Sequence, residues 1–435
     1  MLSINKVKTG WVTVTAILVA NMIGSGIFTS LGFQLVSTTN TWSIILLWIL
    51  GAIMALFGAF SYAELGTNMI RSGGEYHFLS RIYHPLIGYL SGWISVTVGF
   101  AGPIGLAAMA IGEYTEVITH FSPTLVAVTL VILITLFHLK NIKSSSHFQN
   151  ITTGIKLSLL FILIIFGFYL TPEQSSFDWS ASWQSEIYLP AFAISFVYVT
   201  FSYSGWNAAA YIIDEIKDVK KNLAKILVLG TLLVSIVYIL LNIVFLRQAS
   251  LIQLQGQLEI GQIVSINMFG ETSGKIISAA IAFMLVSSIS AMIWAGPRVL
   301  TVMAEDYQIW RYFKKKNKNN IPVRSICLQS IIAIALIVSG TFEQVLIYSA
   351  FVLNLSTAIT VAGLFILRKK GVDKSAYKSK LYPFSQIVFL VLSIWILGYL
   401  IYDRPYESLF GMLNLMLGLA TYLYDKYKNG LKTKF

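Results

Sequence analysis

Hydrocarbon offers no partner to a bare peptide group, so a chain whose long apolar runs are interrupted in their middles must line each interruption with something polar. This chain has two such places. The first apolar run, residues 11–36, is broken by Gly24-Ser25-Gly26, and the sixth is broken by Tyr203-Ser204-Gly205. An unwound stretch at membrane depth survives where it borders a cavity, and a bound solute can supply the missing bonds. Matched interruptions in two halves of a chain therefore point to a carrier site.

Twelve apolar runs of about 20 residues each can be marked along the chain. With 56% hydrophobic and 11% charged residues, against about a quarter charged in soluble domains, it reads as an all-α polytopic membrane protein. Twelve transmembrane helices are expected, with helices 1 and 6 unwound. The first run is too long for a signal peptide and lacks a small-residue cleavage pattern, so it is expected to be retained. Cys327 is the single cysteine, which excludes an intrachain disulfide and a cysteine metal site.

The net charge of +12 does not mark a nucleic-acid binder, because the basic residues fall in every second loop. Lys6 and Lys8 precede the first run, Arg71 and Arg81 follow the second, and Lys140 and Lys143 follow the fourth. Lys217, Lys220, Lys221 and Lys225 follow the sixth, Arg311 and Lys314 open a run after the eighth, and Lys426, Lys428, Lys432 and Lys434 close the chain. The positive-inside rule then places both termini in the cytoplasm of a multi-pass plasma-membrane protein. One transmembrane domain, residues 1–435, is expected, with two longer outer loops at 171–189 and 250–271. The breaks stand about 180 residues apart, the offset of two inverted repeats. These would span residues 11–172 and 188–370, with 382–425 as two appended helices.

Unwinding at Gly24 frees the amides of Ser25, Gly26 and Ile27 at the positive end of a second half-helix, a cradle for a carboxylate. The carbonyls at the end of the preceding half-helix point the other way and suit an ammonium group. At the second break, carbonyls of Phe201, Ser202 and Ser204 can complete that ammonium site. A zwitterionic α-amino acid satisfies both ends. Phe201 would stand over it as an aromatic gate, with Trp206 and Asn207 bracing the unwound segment.

An ionised group inside a span is costly and therefore informative. Lys156 lies about six residues into the fifth run, and a full helical span is about 20. Its ammonium is expected against the carbonyls of the first break around Gly24 and the hydroxyls of Ser287, Ser288 or Ser290. A fixed cation there would replace a sodium ion. No Asp or Glu falls at the breaks or in the middle of the third, sixth, eighth or tenth run, so the side-chain pocket should take neutral groups. Gly105, Ala107 and Ala108, with Ser202, Ser204 and Ala208, would leave room for them. Glu64, Asp214 and Glu215 are expected at helix ends beside Arg71 or Lys217. The five histidines read as scattered over loops and helix ends. No His pair, Cys-His pair or acidic cluster falls inside the runs, so no metal, cofactor or enzyme chemistry is expected.

Several motifs in order carry a family resemblance: Gly24-Ser25-Gly26-Ile27-Phe28; Arg71-Ser72-Gly73-Gly74-Glu75-Tyr76 with Gly88-Tyr89-Leu90-Ser91-Gly92-Trp93; Phe201 and Ser202 through Asn207, then Tyr211 and Glu215; and Gly296-Pro297-Arg298 with Met303-Ala304. On these residues the chain resembles the amino acid-polyamine-organocation (APC) superfamily, and within it the bacterial amino acid permeases related to L-type amino acid transporters. The resemblance implies the LeuT-like fold of 5+5 inverted repeats, alternating access, a bacterial inner-membrane location, and sodium-independent amino acid transport by exchange or with a proton. It implies that the carboxylate meets the amides of Ser25, Gly26 and Ile27, that the amine meets carbonyls around Ile23, Phe201 and Ser204, and that Lys156 is the span-five lysine. Eukaryotic L-type carriers have an asparagine where this chain has Gly105, so the polar contact made there is not implied. No cysteine falls in the outer loops, so no disulfide-linked partner is expected. The expected partners are the amino acid and the bilayer. A polyamine or cationic amino acid exchanger would need a carboxylate in the pocket, where only the remote Glu113 offers itself; a membrane amino acid sensor would need a sizeable soluble domain or tail.

Overall fold

The structure is a computed structural model that describes residues 8–140, 143–319 and 321–430. Lys6, Lys432, Lys434 and the side chains of Lys140 and Lys143, which enter the charge pattern, lie outside the description. The first half runs α1 (Trp11–Met22), α2 (Gly26–Gln34), α3 (Thr41–Asn68), α4 (Glu75–Ile82), α5 (Pro85–Ile94), a π turn (Ser95–Gly99), α6 (Ala101–Thr119), α7 (Pro123–Lys140) and α8 (Lys143–Tyr169). The second half runs α9 (Trp183–Glu186), α10 (Pro190–Ser202), a 3₁₀ segment (Ala208–Glu215), α11 (Val219–Gln248), α12 (Leu251–Leu254), α13 (Ile260–Phe269), α14 (Glu271–Ala295), α15 (Pro297–Asp306), a 3₁₀ turn (Gln308–Lys314), α16 (Val323–Ser339), α17 (Phe342–Lys370), α18 (Phe384–Asp403) and α19 (Pro405–Asn429).

The molecule is an all-α polytopic membrane protein. Among the described residues, eight stretches are long and apolar enough to cross a membrane, including Trp11–Gln34, Pro85–Glu116, Glu271–Asp306 and Phe342–Lys370. Four shorter apolar helices accompany them, Pro123–Leu139, Pro190–Ser202, Ile260–Phe269 and Val323–Ser339. Two of these assignments depart from the hydropathy reading. The region 250–271, expected as a loop, holds α12 and α13, because Ser250 and Gln253 form a reciprocal capping box and Ile260 and Val264 bury themselves. The last run is a helix, α19, but it carries Glu407, Asn414, Asp425, Lys426 and Lys428 and is not one of the eight.

Local chemistry sets the helix starts. The Asn40 side chain accepts from the Trp42 amide at 2.9 Å, capping α3, and Thr341 with Gln344 closes a capping box on α17. Pro85 opens α5 at a position that needs no donor. In the middle of the bundle α1, α2 and α10 are buried over most of their lengths, while α18 and α19 leave Val391, Ile394, Phe410 and Met416 exposed. The broken elements thus lie in the interior, and α18 and α19 present apolar residues outward.

Candidate functional site

At the first interruption the helical backbone stops at Met22 and resumes at Gly26, with Ile23 at φ −76°, ψ 79°. The Gly24 amide turns back to the Met22 carbonyl at 2.8 Å, and the Phe28 amide reaches the Ser25 carbonyl at 2.9 Å. Among the described residues, the amides of Ser25, Gly26 and Ile27 donate to no acceptor. They are the unmet donors of a helix start in a buried place.

At the second interruption α10 ends at Ser202 and the chain resumes as a 3₁₀ segment at Ala208. Gly205 sits at φ +95°, and a Cβ there would lie 2.9 Å from the Asn21 carbonyl carbon and oxygen. Positive φ and contact with α1 both demand glycine. The two interruptions meet again at Gly26, where a Cβ would lie 2.6 Å from the Ser202 Cα. A hydroxyl joins them: Tyr238 of α11 donates to the Met22 carbonyl at 2.6 Å and lies 3.2 Å from the Ser202 carbonyl.

Lys156 is fully buried, and its Nζ donates to the Ile23 carbonyl and to Ser288 Oγ, each at 2.7 Å. Ser288 Oγ in turn donates to the same Ile23 carbonyl at 2.7 Å. The other two hydroxyls named from sequence are engaged elsewhere: Ser287 with the Met284 carbonyl and Ser290 with His138 Nε2. Gly24 contributes no acceptor to the ammonium.

These bonds bear on the four carbonyls expected to receive a ligand amine. The Ile23 oxygen uses both lone pairs on Lys156 and Ser288. Phe201 already accepts from the Ser204 amide at 2.9 Å, and Ser202 from Tyr238. The Ser204 carbonyl accepts nothing among the described residues.

Beside the crossing lies a cavity of about 90 Å³ whose wall includes Asn21, Phe201, Ser204, Ala208, Phe100 and Tyr211. Phe201 and Ala208, named from sequence, are on this wall. Gly105 is not; its α-carbon faces the Ala333 carbonyl and Ile337 of α16. The cause is the π turn, whose extra residue rotates the following helix and brings Gly99, Phe100 and Pro103 to the cavity instead. Ser25, Gly26 and Ile27 lie off the wall as well, behind the Gly26 to Ser202 contact.

One end of the bundle is cross-linked by pairs that sequence proximity did not identify. Thr9 pairs through its backbone with Glu215 and Lys217, at 2.6 and 3.0 Å. Glu215 pairs with Arg298 at 2.5 Å rather than with Lys217, and Glu64 pairs with Arg368 at 2.7 Å rather than with Arg71. Arg71 reaches Asp306 at 2.9 Å, which also accepts from Tyr76 at 2.7 Å. Each partner lies on a helix remote in sequence, so neighbours along the chain lose to neighbours in space. Two histidines depart from the surface reading too: His77 and His138 are buried. The Glu64 side chain is wholly buried and also accepts from the Ser379 amide. Arg368→Met should therefore cost about 3 kcal/mol by stranding a buried carboxylate. Thermal unfolding of the purified protein in detergent should shift down, and an unchanged midpoint would contradict the pairing's weight.

Sequence reasoning did not single out Tyr238, Tyr62 or Glu75. The only available signals were a tyrosine within an apolar run and an acid beside paired glycines.

A family model described as amino acid permease matches residues 10–415. The chain is 26% identical over 439 residues to the b(0,+)-type amino acid transporter 1 of Mus musculus, covering 97% of this chain and 89% of that protein. It is 25% identical over 444 residues to the Homo sapiens protein of the same name, covering 98% and 90%. It is 25% identical over 443 residues to the large neutral amino acids transporter small subunit 2 of Mus musculus, covering 97% and 81%.

Proposed function

Because this chain belongs to the amino acid permease family of the APC superfamily, we propose that it is a secondary transporter moving neutral L-amino acids across the plasma membrane by alternating access, without sodium, as an exchanger or with a proton. Its family transports amino acids; the chain is not an enzyme. One observation carries the finer reading: two interrupted helices cross at Gly205 and Gly26, leaving unmet amides at Ser25, Gly26 and Ile27 beside a fully buried lysine. Those amides are the carboxylate donors in this reading, and the Ser204 carbonyl with the second lone pairs of Phe201 and Ser202 receives the amine. The Ile23 carbonyl serves Lys156 instead. Access to the amides needs the Gly26 to Ser202 contact to widen, which makes that contact part of the gate.

Lys156 supplies the fixed positive charge that a sodium ion would otherwise provide, tying α8 and α14 to the first interruption. The cavity wall holds Asn21, Asn207, Ser204 and aromatic rings but no carboxylate, which favours neutral side chains. In the topology we infer, α1 with α2 and α10 with its 3₁₀ segment each count as one unwound span. Residues 11–172 and 188–370 form inverted repeats of a LeuT-like fold of twelve helices, 382–425 are appended, and both termini are cytoplasmic.

The test is a substrate panel in proteoliposomes of purified protein. Labelled alanine, serine and leucine should enter vesicles loaded with unlabelled neutral amino acid, and excess arginine or putrescine should compete poorly. Strong competition by either cation would overturn the neutral assignment.

A further inference from the structure

The Arg71-Ser72-Gly73-Gly74-Glu75-Tyr76 turn clasps the broken sixth span. Gly73 at φ +116° and Gly74 at φ +55° turn their amides onto the carbonyls of Tyr211 and Ala210, at 3.3 and 3.2 Å. A Cβ on Gly74 would lie 2.6 Å from the Tyr211 ring, and Ser72 Oγ accepts from the Asp214 amide at 2.9 Å. The turn delivers Glu75, which is 2% exposed, to Asn207 of the unwound segment, off the cavity wall. Its Oε1 accepts from Asn207 Nδ2 at 2.6 Å and from Tyr62 OH at 2.7 Å. Its Oε2 is buried with no hydrogen-bond partner among the described residues.

Among the described residues, no cation pairs with this carboxyl. The groups that face it are Tyr62 of α3 and Asn207 and Tyr211 of the broken segment, with Thr360 of α17 behind Tyr62 and Ser95 of the π turn behind Tyr211. Arg71, Arg298 and Arg368 are paired with other acids, Asp306, Glu215 and Glu64. Burial pushes the Glu75 carboxyl up from its ordinary value, against the lowering pull of the neighbouring Tyr211, Tyr62 and Asn207 side chains. Asn207, Tyr211 and Trp206 meanwhile line the cavity, and Trp206 packs edge-on against Tyr62 with ring centroids 4.7 Å apart. One carboxyl thus touches three groups that either form the cavity wall or support it.

We propose that Glu75 is the proton-exchanging group of this transporter, coupled to the cavity through Asn207. The inference rests on the transport reading above and decides between its two modes in favour of a proton. In one half of the cycle Oε2 carries a proton. When its O–H bond breaks, the proton leaves to water on the other side of the membrane and the charge returns to the carboxylate. The bonds from Asn207 and Tyr62 then become charge-assisted and tighten, drawing the unwound segment toward α3. A proton is the right cargo here because Asn207 and Tyr211 stand between Glu75 and the cavity, so a larger ligand does not reach it.

The test uses the full chain in proteoliposomes, as wild type, Glu75→Gln and Glu75→Asp. Labelled alanine uptake is measured with and without an acid exterior, and lumenal pH is followed with a trapped dye. In wild type the gradient should raise uptake severalfold and alanine should acidify the lumen. In Glu75→Gln the ratio of uptake with and without the gradient should fall to unity, whatever the absolute rate, and acidification should vanish. Glu75→Asp should restore the gradient effect with a shifted pH midpoint of exchange. A wild type that exchanges alanine but moves no proton overturns the proposal, as does a Glu75→Gln protein that keeps the gradient ratio. If Glu75→Gln gives no uptake, an unshifted midpoint in Glu75→Asp overturns it. Absence of alanine exchange by wild type at equal pH would instead sink the transport reading.

Discussion

Lys156→Met should lower exchange uptake of a neutral amino acid by about a hundredfold or more, since it removes two charge-assisted hydrogen bonds of about 1.5–3 kcal/mol each and about 1.4 kcal/mol is a factor of ten. Methionine keeps the length and the apolar stem but removes the donor to Ile23 and Ser288. The Ile23 carbonyl would keep only Ser288, and the stretch from Ile23 to Ser25 would lose its link to α8. The effect should fall on transport more than on folding, because the stem of Lys156 packs as methionine would. Size-exclusion elution and thermal unfolding should therefore stay near wild type while uptake collapses. Uptake within a factor of two of wild type would remove Lys156 from the mechanism.

The second large effect separates two glycines that look equivalent in sequence. Gly26→Ala should abolish most uptake and lower stability by about 1–3 kcal/mol, the range for overpacking a close contact. Its Cβ would fall 2.6 Å from the Ser202 Cα and 2.7 Å from Ser202 Oγ. That Oγ is itself fixed by the Tyr198 carbonyl and Ser30, both at 2.8 Å, so there is little room to give. Gly24→Ala should transport nearly as wild type, because its Cβ would meet only the Met22 carbonyl oxygen, at 4.0 Å. Parallel uptake and melting curves on the two variants check this. Equal damage at both positions would show that chain flexibility, rather than contact between the two interruptions, is what glycine supplies here.

These contrasts show what a single sequence can carry. The all-helical, membrane-crossing class was legible because burial of peptide groups in lipid allows few alternatives, and apolar length records it directly. Lys156 could be singled out because a charge in a span is rare. Which of Ser287, Ser288 and Ser290 it meets depends on the rotation of α14, and no periodicity in a helix that is apolar on most sides fixes that rotation. The same ignorance put Gly105 in the pocket, where the π turn removes it. The ion pairs were illegible for a different reason: Glu64 and Arg368 are 304 residues apart, and charge patterns report only local neighbours. Glu75 entered only as one letter of the Arg71 to Tyr76 motif, because nothing local shows that this turn folds onto Tyr211 and buries the acid.

In the proposed mechanism the Lys156 ammonium stands where a carrier of this kind would otherwise need sodium. The most direct measurement is exchange uptake of labelled leucine into proteoliposomes, with all sodium replaced on both sides by N-methylglucamine. The wild-type protein should show the same initial rate as in sodium medium. Uptake that disappears without sodium and returns on its addition would contradict it.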